Sequence, residues 1–600
     1  MRILALLPAL LLAVRSAAEP GGPDEPVRVN AAPIDLAVHD GRLRPAIGVE
    51  NIQVFRANRT RPNTAENTGW TYNHAPMLAY WNGRFYLEYL SNPFSEANPP
   101  GQTLVATSRD GRTWEMPTVV FPVFWLRTGP LGRPRMLMMH QRMGFYVAPN
   151  GRLLVLASYG YEPSIGRVVR NANADGTYGP IYFIRNHAEV TEGRGRFPFY
   201  TDSPDRDFVA ACDALLADKL KTAQWREEDS NADGFYTVPG PLLKAPSIYH
   251  RRDGTAVALF KEAWAALSSD EGKTWSMPVQ LPSVITDGAK SWGQRTEDGR
   301  YAMVYNPADF GSHRWPLAIV TGEDGIVFSD MLLINGEVPP RRYYGGSKDF
   351  GMQYVRGISE GNGDPPGSDL WLVYSSNKED MWISRVPVPV RARAENPVSD
   401  TFDALEAGGK IPDWNIYRPR WAQVGVVAFP NSRNKSLRLE DSEPYDYAKA
   451  VRVFPESKSV WITCRILARQ ADRGRLEIDV MDGAGNRAVQ LRFDDHGKVS
   501  ARKGETSLAE ASYRSDSWHR LEIIADTAKG KYDLTLDGRA VVRQAAFAEP
   551  AASLERIEFR TGAYRTQPTR DLDRYAGEDL ANPGDPAPAA IFHLDDLVIR

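Results

Sequence analysis

HAPMLAYWNGRFYLEYLS (74–91) decides the fold. Apolar and polar residues alternate on both sides of Asn82-Gly83, so each half turns one face inward as a half-buried strand does. Asn-Gly can hold positive φ at both central positions of a tight turn, which makes the stretch a β-hairpin. The plan recurs as HQRMGFYVAPNGRLLVLASY (140–159), KAPSIYHRRDGTAVALFKEA (244–263) and KSWGQRTEDGRYAMVYNP (290–307). A version with a longer connection, MQYVRGISEGNGDPPGSDLWLVYSS (352–376), ends the series. Successive units lie roughly 50 to 100 residues apart, and less regular strands such as GPIYFIR (179–185) fill the gaps. The pattern predicts an all-β chain that begins with a six- or seven-bladed β-propeller.

A second repeat points the same way. SSDEGKTW (268–275) fits Ser-x-Asp-x-Gly-x-Thr-Trp, SRDGRTW (108–114) is one residue shorter, and TGEDGIVF (321–328) is a degenerate copy. The motif resembles the Asp-box of sialidases and other BNR-repeat propellers, where it forms an outer turn between the third and fourth strands of a blade. There Asp caps the turn, Gly takes positive φ and Trp packs between blades. The resemblance implies structural roles for Asp110, Asp270, Trp114 and Trp275.

WISRVPVPVRARAENPVSD (382–400) ends the last hairpin series and turns into a Pro- and charge-rich connector. Alternating Val-Pro blocks helix and favours extended chain. The expected organisation is a propeller over 40–395, a linker at 396–400 and a second β-domain over 401–600. That last region carries at least seven strand signals, among them VWITCRILAR, GRLEIDVMD and KYDLTLDG, spaced as in a β-sandwich. Its opening DTFDAL…DWNIY, the WHRLEI stretch and the closing HLDDLVI resemble concanavalin-like, laminin-G-type jelly-roll domains. The resemblance implies a last strand lying beside the first.

Composition narrows the function. The 600 residues exceed one hydrophobic core, and 42% apolar with 24% charged residues is ordinary for a globular chain. A net charge of −3 argues against a nucleic-acid partner, which needs a concentrated basic surface. Residues 1–18, MRILALLPALLLAVRSAA, read as a signal peptide: Arg2, a short apolar run and a small-residue end. That run is too short to span a bilayer, so the expectation is an exported, periplasmic or extracellular monomer without a membrane span. Cys212 and Cys464 fall in different domains, which excludes a disulfide framework, and no Cys/His set has zinc spacing. No cofactor is expected, although a structural calcium in the propeller channel is compatible with the fold.

A propeller gathers the first strand of each blade around a central channel. Stepping back eight to ten residues from each Asn/Asp-Gly turn reaches His74, His140 with Arg142, Lys244, and Lys290. Trp292 and Arg295 share the hairpin of Lys290, and the last unit offers Lys348, Asp349 and Gln353. A ring of cationic and imidazole groups at one mouth suits an acidic oligo- or polysaccharide. For any one residue, a strand-edge role or a surface ion pair is an equal alternative.

Residues 69–93, 140–161, 290–307 and 352–385 resemble the propellers of glycoside hydrolase family 145 and related rhamnose–glucuronate lyases. That resemblance implies cleavage of L-rhamnose linked α-1,4 to D-glucuronate in plant or algal polysaccharide, with His74 as the essential histidine. For β-elimination, His74 or His140 with Tyr146 would supply base and acid, and Arg142 with Lys244 would neutralise the carboxylate. The alternative enzyme is an exo-sialidase, for which Arg142, Arg295 and Arg356 could hold the carboxylate and Tyr305 with Glu88 or Glu262 could form the nucleophile pair. A non-catalytic glycan-binding lectin is the reading from another class.

Overall fold

The recurrent hairpins become radial antiparallel sheets in the computed structural model, which describes residues 25–60, 69–96, 99–126, 135–137, 139–159, 165–186, 197–225, 238–309, 311–565 and 577–600. Among the described residues, four of these sheets are complete blades. Blade 1 holds Tyr72–Trp81, Arg84–Asn92, Gln102–Ser108 and Thr118–Phe121, and blade 2 holds Met139–Val147, Leu153–Tyr159, Gly166–Ala172 and Tyr182–Asn186. Blade 3 holds Ser247–His250, Ala256–Phe260, Trp264–Ser268 and Val279–Gln280. Blade 4 holds Trp292–Arg295, Tyr301–Tyr305, Leu317–Gly322 and Val327–Asn335, with Arg28–Asn30 added in parallel at its rim. A fifth four-stranded unit, Met352–Arg356, Leu370–Ser376, Asp380–Val386 and Glu50–Phe55, is one end of a larger sheet.

The expected six or seven blades are therefore not found among the described strands, which make five such units. The spacing between hairpins misled because it holds insertions: a small hairpin of Phe124–Leu126 with Arg135–Leu137, and two helices. Helix Arg206–Ala217 was not foreseen. Asp205 caps it by accepting from the amides of Asp207 and Phe208, and Phe208, Ala211, Cys212 and Leu215 form its apolar stripe. That stripe packs on Tyr146, Leu154 and Tyr182 of blade 2.

Apolar clusters join blades 1 and 5, 1 and 2, 4 and 5, and 3 and 4. The helices lie between blades 2 and 3, the second of them (Lys219–Ala223) against blade 3. The Asp-box turns act as the sequence suggests. Asp270 accepts from the Thr274 amide at 2.8 Å and its hydroxyl at 2.6 Å, Gly272 sits at φ +76°, and Trp275 is buried beside Ala258 and Phe260. Asp110 and Asp324 cap the two weaker copies in the same way. These turns occupy the lower face, while the starts of the inner strands and the loops between second and third strands occupy the upper face.

The C-terminal β-sandwich is not a separate body. Glu50–Ile52 pairs antiparallel with Ile383–Arg385 of blade 5 and parallel with Ile416–Arg418, so one eleven-stranded sheet runs from propeller into sandwich. Val398–Asp400, placed in the linker by sequence, is the first strand of the second sandwich sheet and pairs with Leu597–Ile599 of the last. Arg56 seals the seam with a bidentate pair to Glu443 at 2.7 and 2.8 Å, both side chains 1% exposed. It also lies 3.7 Å above the Trp421 ring. Among the described residues, no helix is long and apolar enough to cross a membrane. Both cysteines are buried thiols, and residues 1–18 lie outside the described residues.

Two outcomes follow. Trp275→Ala should lower the unfolding free energy by about 3 to 5 kcal/mol, the scale of a lost aromatic core residue, read by denaturant titration. Burial pushes the Asp441 carboxyl up to about 7, helped by Glu443 and Asp446. A raised carboxyl pKa stabilises the fold below its unfolded value and loses that contribution as pH rises through the folded one. Melting temperature should therefore fall from pH 5 to pH 8, and Asp441→Asn should flatten that fall.

Candidate functional site

Several inner strands are distorted where they begin on the upper face. Ala75 and Ala245, each followed by a proline, hold φ of +48° and +55°, and Tyr354 holds +56°. Register shifts mark bulges between His74 and Met77 and between Gln353 and Arg356. An alanine at positive φ is uncommon, and a tyrosine there is an outlier that the surroundings must enforce.

The surroundings of Tyr354 are unusual in their charge. The Lys290 ammonium lies 4.0 Å from the ring centroid, the Lys261 ammonium 5.2 Å and the Arg314 guanidinium 5.0 Å. Lys261 also donates to the Tyr354 hydroxyl at 3.1 Å. The His74 ring rests against the Tyr354 ring, centroids 4.3 Å apart. Its Nδ1 meets Ser375 Oγ at 2.9 Å, and the residue is fully buried.

Each group has a local reason for its place. Lys261 precedes Glu262 and Ala263, whose φ values of +63° and +56° make the tight turn between the second and third strands of blade 3. Arg314 comes from the corresponding loop of blade 4. Gln353 Oε1 accepts from Arg314, which also donates to the Gly288 carbonyl at 2.7 Å, and Gln353 Nε2 donates to the Phe350 carbonyl at 2.8 Å. Asp287, next to Gly288, has its carboxyl pushed up by burial and by Asp309 and Glu262, against the pull of Arg314. A cluster of cations around a strained phenol, with a carboxyl of raised pKa facing Arg314, can bind an anion and move a proton beside it.

The structure brings only some of the expected residues together. His74, Lys290 and Gln353 meet around Tyr354 and Arg314. Lys244 is half-buried beside them, its carbonyl accepting from the Lys261 amide at 3.2 Å. His140 and Arg142 lie on a blade 2 strand, but their side chains fall outside the described residues. The other expected residues have different surroundings. Tyr146 faces the helix Arg206–Ala217, because strand alternation turns it away from the channel. Arg295 is exposed at the far end of its strand, and Trp292 is buried against Gly357 and donates to Gln294 at 2.9 Å. Lys348 is fully buried and pairs with Glu379 at 2.9 Å. Arg356 donates to the Ala245 carbonyl at 3.1 Å, and Tyr305 is buried in the core between blades 3 and 4.

Tyr354, Lys261, Arg314 and Asp287 were missed. A bulge adds one residue to a strand, so counting back from the turn stops at Gln353 and misses its neighbour. The usable signal was the shared Ala-Pro after His74 and Lys244. Among the described residues, the acidic and His group with metal-like spacing, Asp494, Asp495 and His496, sits on a sandwich turn and not in the channel.

Residues 25–241 match a family model described as BT_1020-like, N-terminal beta propeller, and residues 414–575 match one described as sialidase-like, CBM domain. A solved structure named Sialidase is 38% identical, with TM-score 0.90, and the match covers 96% of this chain and 54% of that one. The chain therefore spans about half the length of that relative. A mutant Trypanosoma rangeli sialidase displaying trans-sialidase activity matches at 11% identity, covering 92% of this chain and 96% of its own, with TM-score 0.36. A Bombyx mori GH32 beta-fructofuranosidase, BmSUC1, matches at 10% identity, covering 93% and 96%, with TM-score 0.30. Both likenesses are too weak to bear on the site. No curated protein matches the chain. The chain thus joins a sialidase-like β-propeller to a sialidase-like CBM domain, and the nearness to family 145 propellers expected from sequence is not among these matches.

An anion that fills the cationic site should stabilise the fold by mass action. Citrate should raise the melting temperature of the wild type in a thermal-shift titration. The shift should shrink in Lys290→Met and persist in Arg295→Met.

Proposed function

We propose that the chain is a glycoside hydrolase that releases a terminal carboxylate-bearing sugar of the 2-keto acid type on which sialidases act. The observation that carries this reading is the convergence of Lys261, Lys290 and Arg314 on the strained Tyr354. In such a sugar the carboxylate is attached to the anomeric carbon itself. A lone carboxylate nucleophile would be repelled there, whereas the charge of a Tyr354 oxygen is offset by the Lys261 ammonium that donates to it, and sialidases depart from the two-carboxylate scheme.

The Lys and Arg groups hold the substrate carboxylate, and the Lys261 ammonium stabilises the Tyr354 oxygen as phenolate. That oxygen bonds to the anomeric carbon as the glycosidic C–O bond breaks, and Asp287 gives its proton to the departing oxygen. Water then attacks the same carbon, returns a proton to Asp287 and frees the phenolate. Raised by burial, the Asp287 carboxyl keeps its proton to higher pH than an exposed aspartate. His74, fully buried behind the Tyr354 ring, positions that ring.

A second reading, cleavage at a rhamnosyl-(1,4)-glucuronate linkage, draws on the same cluster because His74 lies in it. The complete burial of that imidazole favours the first reading. A lectin would have no use for a strained tyrosine ringed by three cations.

The test is turnover of 4-methylumbelliferyl N-acetylneuraminide and of a rhamnosyl-glucuronate disaccharide, with absorbance of unsaturated uronate followed in parallel. Release of the free keto acid without that absorbance is expected. Tyr354→Phe should lower kcat about 10²-fold or more with the circular dichroism unchanged. Asp287 acts protonated, so kcat should fall as pH rises through its pKa, and Asp287→Asn should lower kcat and remove that alkaline limb. Equal rates for wild type and Tyr354→Phe would remove Tyr354 from the mechanism.

A further inference from the structure

A second surface on the upper face is built from four separated segments. Tyr344 is 45% exposed and meets the half-buried Phe94 ring edge-on, with centroids 5.3 Å apart. Phe94 comes from the loop between the second and third strands of blade 1, and Tyr344 from the chain entering blade 5. Gly345 and Gly346 let that chain lie on Phe94 and Ser95, since a Cβ at Gly345 would come within 2.5 Å of the Phe94 carbonyl. Asp579, from the sandwich, accepts from the Tyr344 amide at 2.9 Å and from Arg59 Nε at 3.0 Å. The Arg59 and Asp579 side chains remain 29% and 39% exposed.

This surface is tied to the reaction site by a short chain of bonds. Asn73, next to His74, donates its side-chain amide to the Glu379 carbonyl at 2.8 Å. The Glu379 carboxylate accepts from the Arg342 and Tyr343 amides at 3.0 and 2.9 Å, fixing the backbone just before Tyr344. The buried Lys348 holds the same carboxylate.

We infer that Tyr344 and Phe94, with Arg59 and Asp579, form the subsite for the neutral sugar on the leaving-group side of the cleaved bond. This rests on the hydrolase reading above. A tyrosine face in water stacks on the C–H face of a pyranose, and a matched Arg–Asp pair offers a donor and an acceptor to adjacent hydroxyls without net charge. The charge contrast fixes the direction: the acidic unit goes to the Tyr354 cluster and the neutral unit to the Tyr344 platform. The enzyme therefore reads an oligosaccharide rather than an isolated acidic glycoside, and its sandwich takes part through Asp579.

The experiment compares α2,3-sialyllactose with the methyl glycoside of the same acid, whose leaving group is too small to reach Tyr344. In Tyr344→Ala, kcat/KM for sialyllactose should fall about tenfold, the scale of one aromatic stacking contact. The methyl glycoside should stay within twofold, and Tyr344→Phe should restore the lactoside. An equal change on both substrates, or none on either, overturns the subsite. Saturation-transfer NMR with lactose reads the subsite without turnover. Transfer to lactose protons in the wild type and its loss in Tyr344→Ala are expected even if neither glycoside is cleaved, an outcome that would sink the hydrolase reading alone. No transfer to lactose in the wild type overturns the subsite.

Discussion

The structure depends on one strand with two partners. Glu50–Phe55 gives one edge to Asp380–Val386 of blade 5 and the other to Trp414–Arg418 of the sandwich. It is buried along its whole length, and at its end Arg56 pairs with Glu443 from across the seam. A buried pair of this kind adds little net stability when complete and costs heavily when one partner is lost, so it fixes an arrangement more than it strengthens one. Glu50 has the same character, held between Arg112 of blade 1 and Arg385 of blade 5. The strand closes the ring of blades along one edge and welds the sandwich to it along the other.

That weld sets where chemistry can occur. The upper face collects the distorted starts of the inner strands, and closure brings blade 5 against blade 1, so that Tyr354 meets His74 across the joint. Blades 3 and 4 supply the cations through loops at the same height. The sandwich, fixed by the shared strand, brings Asp579 to the rim of that face. Strain at Tyr354 is tolerated because its neighbours Gln353 and Val355 are locked in buried bonds and packing.

Much of this was legible in the sequence. The hairpins, the Asp-box turns and the two-part all-β organisation follow from period-two patterning and turn chemistry, which are local properties. His74 and Lys290 were also legible, since rotation about a channel places equal offsets together. Blade number was not, because inserted segments such as Arg206–Ala217 occupy the same lengths of chain as blades would. The shared strand was illegible for another reason: ENIQVF reads as an ordinary strand, and nothing local says that both of its edges are used. Tyr354 escaped because bulges break the period that the counting relied on. Lys348 misled because a buried lysine satisfied by Glu379 has the same sequence signature as one awaiting a ligand.

Whether Tyr354 is the nucleophile is read by a trapping experiment. A fluorine beside the anomeric carbon slows breakdown of a glycosyl–enzyme intermediate, so a 2,3-difluorinated keto acid sugar should leave the protein heavier by one fluorinated sugar. Peptide mapping should place this adduct on Tyr354. An adduct on another residue, or continued turnover with no adduct at all, would contradict it.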